Sequence, residues 1–130
     1  MLQTNKTFSS FSVDDLQRAK EFYTKTLGLQ IKDNPMGILE LQLAGNPVLI
    51  YPKPNHEPAS FTVLNFPVDN IDMAVAELKS RGVQLENYDN DQMKSDEKGI
   101  YRNNEQNQGP SIAWFKDPAG NILSVLEEKD

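Results

Sequence analysis

Cysteine is absent from the 130 residues and histidine occurs once. The first absence excludes a disulfide framework, a thiolate metal site and a cysteine nucleophile. The second leaves His56 alone in a proline-rich connector, where it reads as a solvated loop side chain. No paired His, Ser-His-Asp set, nucleophile elbow or Gly-rich phosphate loop can be assembled. No apolar run approaches the roughly 20 residues that span a bilayer, and Met1 to Lys6 lacks the apolar segment of a signal peptide. The expectation is a cytoplasmic protein without membrane contact. Basic residues are also scarce: acids outnumber bases 19 to 13, a net charge of −6. Nucleic acid is therefore excluded as a partner, since phosphate binding needs clustered Lys and Arg. The acidity serves solubility first, and would favour a cationic ligand second.

What is present is a weak internal repeat. Val13-Asp14-Asp15-Leu16-Gln17-Arg18-Ala19 reappears as Val68-Asp69-Asn70-Ile71-Asp72-Met73-Ala74 at an offset of 55, and Gly28-Leu29-Gln30-Ile31 as Gly82-Val83-Gln84-Leu85 at an offset of 54. Ala44-Gly45-Asn46 matches Ala119-Gly120-Asn121 at an offset of 75, so about twenty extra residues lie inside the second copy. The hydrophobic fraction of 38% and the charged fraction of 25% are those of a globular chain. Its length is that of one domain, able to bury roughly two-thirds of its unfolded surface.

In the first copy, Phe8 to Val13 reads as a strand and Asp14 or Asp15 as the cap of a helix. Leu16, Ala19, Tyr23 and Leu27 form the apolar face of that helix beside Phe22, and Gly28 takes the left-handed position beyond its end. Strands follow at Leu29–Lys32, Ile38–Leu43 and Val48–Tyr51, with Glu40 and Gln42 on the outer face of the second. Three prolines between Pro52 and Pro58 make a stiff connector. The second copy has a strand at Phe61–Phe66, a helix striped by Ile71, Ala74, Val75 and Leu78, a strand at Val83–Leu85, and a hairpin of Ser111–Phe115 with Ile122–Leu126. Asn87 to Gly109 is polar and reads as a mobile surface loop, or as a lid anchored by Ile100 and Tyr101. Asp117-Pro118-Ala119-Gly120 is turn chemistry with no catalytic role.

This duplicated unit, with Val-Asp-Asp-Leu-x-x-Ala-x-x-Phe-Tyr-x-x-x-Leu-Gly-Leu early and Phe-Lys-Asp-Pro-Ala-Gly-Asn late, resembles the vicinal oxygen chelate superfamily. That group includes glyoxalase I, extradiol dioxygenases, and fosfomycin and bleomycin resistance proteins. The resemblance covers Phe8 to Leu126. It implies an α+β fold of two tandem βαβββ units forming a curled mixed sheet with a central cleft, the halves pairing within a chain or across a homodimer. The expected organisation is one domain over 1–130: unit one 1–52, connector 53–59, and unit two 60–130 with an insertion at 87–109.

Metal enzymes of that superfamily place a His or Gln on the first strand of each unit and a Glu on its last. The matching positions are Phe8 and Val63, then Leu49 and Ser124, and none is a competent donor set for a divalent ion. A slip of one residue in register brings no His or Glu to any of them. No metal, other cofactor or catalytic residue is expected. The resemblance implies that Phe8, Leu49, Val63 and Ser124 face the cleft; strand alternation then adds Ser10, Tyr51 and Asn65 as candidate ligand-binding residues, with Ser12 and Leu126 beside them, in an apolar pocket with polar tips. Asn65 is unusual within a strand, and either meets the ligand or bonds neighbouring backbone. Trp114 either stacks on a planar or cationic group or belongs to the core. Tyr101 has the chemistry to orient a ligand, and Arg102 reads as solvated.

The expectation is a metal-independent binder of a small organic molecule, of the bleomycin-resistance kind, sequestering a drug or metabolite without transforming it. The alternatives are a glyoxalase-like lyase or dioxygenase with unrecognised metal ligands, and an interaction module whose cleft is filled by its own Phe8, Leu49 and Val63.

Overall fold

The structure is a computed structural model that describes residues 1–90, 93–103 and 109–128. The chain divides into two compact units, Met1–Pro58 and Ala59–Asp130.

In the first unit a short turn, Thr4–Lys6, precedes β1 (Ser9–Val13), α1 (Leu16–Glu21), β2 (Ile31–Asn34), β3 (Ile38–Leu41) and β4 (Val48–Pro52). The four strands lie in the order β1-β4-β3-β2, with β1 parallel to β4 and the other pairs antiparallel. Asp15 caps α1 by accepting from the Arg18 N–H at 3.1 Å. The helix then widens into a π turn over Phe22–Thr26, where the Thr24 hydroxyl donates to the Lys20 carbonyl. That widening turns Tyr23 fully inward, edge-on to Phe22 and 6.2 Å from Phe11. Phe11, Val13, Leu39, Leu41, Val48 and Ile50 make the sheet face buried under Ala19 and Tyr23. Each such side chain contributes about 1.5–3 kcal/mol by leaving water.

The second unit carries β5 (Thr62–Pro67), α2 (Ile71–Ser80), β6 (Ile100–Tyr101), β7 (Ser111–Lys116) and β8 (Ile122–Glu127) in the order β5-β8-β7-β6. Asn70 takes the place of Asp15 as cap, accepting from the Met73 N–H. Gly28 (φ 73°) and Gly82 (φ 86°) both hold the left-handed position the repeat assigns them. Ile71, Val75 and Leu78 of α2 share the buried set with Ala113, Phe115, Leu123, Val125 and Ile100. The late turn is structural: Asp117, 5% exposed, accepts from the Ala119 and Asn121 amides and from the Asn121 side chain.

Three expectations are corrected. Two separate four-stranded sheets, each open with two edge strands, replace the single curled mixed sheet. Alternation within strands fixes which side chains are buried but does not carry closure. Val83–Leu85 is not a strand, and Leu85 makes one isolated bridge to Phe115. The fourth strand of the second sheet comes instead from the polar segment read as a loop or lid, where Ile100 pairs with Ala113 and is fully buried. Residues 91–92 and 104–108 of that segment lie outside the described residues.

Candidate functional site

The side of the second sheet opposite α2 gathers four of the nine candidate residues, Asn65, Tyr101, Trp114 and Ser124. Cross-strand partners share a face, so the register Asn65↔Ser124 and Trp114↔Ser124 puts these three in one row. Ser124 is fully buried and its hydroxyl meets the Asn65 side-chain oxygen at 2.5 Å. The exposed Asn65 therefore bonds a side chain rather than backbone. Trp114 donates its indole N–H to the Thr62 hydroxyl at 3.1 Å. A bulge between Thr62 and Leu64 brings Thr62 to this face and takes Val63 out of the ladder.

Two tyrosines flank the indole. Tyr88 meets it edge-on, ring centroids 5.3 Å apart, and Tyr101 lies at 6.5 Å and 45°. Tyr88 is held by a reciprocal pair of bonds with Ser95, whose hydroxyl accepts from the Tyr88 N–H and whose N–H donates to the Tyr88 carbonyl. Sequence reasoning missed Tyr88 and Thr62 as site residues; Tyr88 is one of the few large apolar side chains in the polar segment 87–109, and that scarcity is the signal that could have found it.

Tyr101 comes from a strap whose other side is fully engaged. Ile100 and Arg102 alternate with it, the first into the core and the second toward the first turn of α2. Arg102 makes a bidentate pair with Asp72 at 3.0 and 2.7 Å, and its Nε–H donates to Asp96 at 2.8 Å. Lys98 adds a third contact, donating to Asp72 at 3.0 Å. The other Asp96 oxygen accepts the Lys98 and Ile100 amides. Arg102 and then Lys98 hold the Asp72 carboxyl well below the usual carboxylate range, and Asp72 and Asp96 push the Arg102 guanidinium above its usual value. For Asp96 burial is the largest single influence and acts upward, but the Ile100 amide, Arg102 and the Lys98 amide together outweigh it, so its pKa is lowered. Arg102 is thus not a solvated loop side chain.

The remaining candidates lie on the first sheet, on the face opposite α1. The register Ser10↔Leu49, Ser12↔Tyr51 and Glu40↔Leu49 groups Ser10, Ser12, Leu49, Tyr51 and Glu40 there. Phe8 precedes β1 and is 60% exposed. His56 returns to this face, its Nδ1 lying 2.7 Å from the Ser12 hydroxyl in a part-buried contact. Proline spacing identified the connector but not where its bend would return the imidazole.

A family model described as Glyoxalase/Bleomycin resistance protein/Dioxygenase superfamily matches residues 7–125. The chain belongs to this superfamily. Solved structures of superfamily-like fold include TnmS3, an antibiotic binding protein from Streptomyces sp. CB03234, at 24% identity and TM-score 0.71 over 99% of each chain. Another is a glyoxalase/bleomycin resistance protein/dioxygenase from Alicyclobacillus acidocaldarius, at 17% identity and TM-score 0.71 over 100% of this chain and 96% of that one. An integron cassette protein from the mobile metagenome of V. cholerae has 20% identity and TM-score 0.67 over 99% and 98%. No curated protein matches the chain.

The divalent ion used by metal enzymes of the superfamily does not fit this donor set. Phe8, Leu49 and Val63 have no donor atom, and Ser124 is a neutral hydroxyl already bonded to Asn65. Among the described residues no group of three or more His, Cys, Asp or Glu side chains is placed to hold an ion.

Proposed function

We propose that this superfamily member binds a small organic molecule with a planar, electron-poor or cationic part, and holds it without chemical change. The observation that carries this reading is the row Trp114, Ser124 and Asn65, flanked by Tyr88 and Tyr101; the resemblance matches Ser124 to the position of a carboxylate ligand in metal enzymes of the superfamily. Aromatic rings offer large contact area and attract cations through their π faces. The Asn65 amide and the Thr62 hydroxyl supply polar tips that orient a bound group. Covering ~300 Å² of apolar surface is worth on the order of 7 kcal/mol before the costs of association, so sequestration needs an adequate surface rather than a reaction centre. The net charge of −6 supports a cationic ligand. The antibiotic-binding relative shares the fold, which supports a binding role for such a scaffold.

The test is a titration followed by Trp114 fluorescence, using bleomycin and the planar cation proflavine, on protein purified without an affinity tag and with or without EDTA. Saturable quenching that EDTA leaves unchanged, with the ligand recovered intact by mass spectrometry, is the expected result. Stoichiometric metal in the purified protein, or turnover lost on chelation and restored by a divalent ion, would overturn the reading in favour of a lyase or dioxygenase.

A further inference from the structure

We infer that Arg102 is the positioning residue of the ligand face: through its clamp to Asp72 and Asp96 it holds β6 so that Tyr101 stands beside Trp114. The inference rests on the ligand reading given above and adds a residue that never touches the ligand. Its basis is the alternation of three neighbours. Ile100 goes into the core, Tyr101 to the opposite face, and Arg102 back to the core side at the first turn of α2.

β6 has two residues and, among the described residues, pairs only with β7. So short an edge strand has little ladder of its own to resist rotation or fraying, and its side chains keep their faces only if something else fixes them. Ile100 fixes the near end. At the far end Arg102 donates through all three guanidinium nitrogens to two carboxylates carried by different segments, Asp72 on α2 and Asp96 on the turn before β6. A planar fork bound at three points sets orientation as well as charge, which a lysine cannot reproduce. The turn itself has no slack. Gly99 is buried, and a Cβ there would lie 2.9 Å from the Leu85 Cβ.

Charge separates this role from a direct one. Arg102→Met takes the net charge from −6 to −7, which by itself favours a cationic probe, so weaker binding of such a probe marks lost positioning. The experiment titrates proflavine into wild type, Arg102→Met, Arg102→Lys, Tyr101→Ala and the Arg102→Met/Tyr101→Ala double variant. The near-UV circular dichroism and melting temperature of each are recorded without probe.

The expected result is affinity reduced about tenfold in Arg102→Met and less in Arg102→Lys, with no further loss from Arg102→Met once Tyr101 is alanine. In the unliganded protein the near-UV signal of the Tyr101–Trp114 pair falls in Arg102→Met by as much as in Tyr101→Ala. The inference is overturned if Arg102→Met binds proflavine as wild type does, or loses the same factor in the Tyr101→Ala background, which would mean general loosening. Should wild type fail to bind proflavine, the ligand reading fails alone. The near-UV comparison then decides the positioning role, an unchanged Arg102→Met spectrum overturning it.

Discussion

At the scale of single residues, Trp114 carries two separable contributions. Its indole N–H donates to Thr62, and its ring forms the centre of the aromatic group with Tyr88 and Tyr101. Trp114→Phe keeps a ring and loses the bond, leaving the Thr62 hydroxyl to part-exposed surroundings where water replaces the indole. Its expected cost in affinity for a planar probe is two- to threefold, about 0.5 kcal/mol. Trp114→Ala removes the stacking area too and is expected to weaken binding at least tenfold, more than 1.4 kcal/mol. Calorimetric titration distinguishes the two, and equal losses would mean that the hydrogen bond and not the ring matters. Much of this residue-level pattern was legible. The resemblance together with strand alternation placed Ser124 and Asn65 on one face, and the ladder puts them side by side. His56 was not legible, because a proline-rich connector specifies stiffness and not direction, and the Ser12 hydroxyl it meets is distant in sequence. Val63 falls at the bulge, an extra residue that strict alternation does not foresee.

At the scale of elements, the strap formed by Asp96 to Arg102 should respond to acid before the rest of its sheet. Asp72 has its carboxyl pKa lowered from 3.8, and that of Asp96 is lowered as well. Groups that bind protons less readily when folded stabilise the fold above the unfolded pKa, and that contribution disappears as pH falls below it. The expected outcome is that hydrogen-exchange protection of the Ile100 amide, whose partner is Asp96, declines as pH drops below about 4. Amides in the centre of β8 should keep theirs. Asp72→Asn should show the same selective loss already at neutral pH. Protection factors that fall together across β6, β7 and β8 would mean that the strap has no independent stability. The helices and hairpins here were legible because caps and glycines recur at fixed offsets, Asp15 with Asn70 and Gly28 with Gly82. β6 was not, since two residues give no periodicity. Its stability comes from Ile100 burial and the Arg102 clamp, both tertiary.

At the scale of the whole molecule, the duplication was legible from the offsets, while the curled sheet came from resemblance alone and gave way to two open four-stranded sheets. Residue patterns choose a buried side for each strand; nothing in them counts sheets. Net charge is the one whole-chain property that acts on a ligand without any contact, and it yields a prediction independent of the aromatic face. A molecule of charge −6 attracts a cation over a distance that shrinks from about 10 Å at 0.1 M salt to about 3 Å at 1 M. Affinity for proflavine should therefore fall several-fold as salt rises from about 0.05 M to about 0.5 M. Affinity for an uncharged planar analogue should stay level, because apolar and stacking contributions are not screened. If both affinities fall together, salt is acting on the protein, most directly by weakening the exposed Lys98–Asp72 contact that shares Asp72 with Arg102. If neither falls, the acidity serves solubility alone and the ligand is selected by ring shape and the polar tips at Asn65 and Thr62.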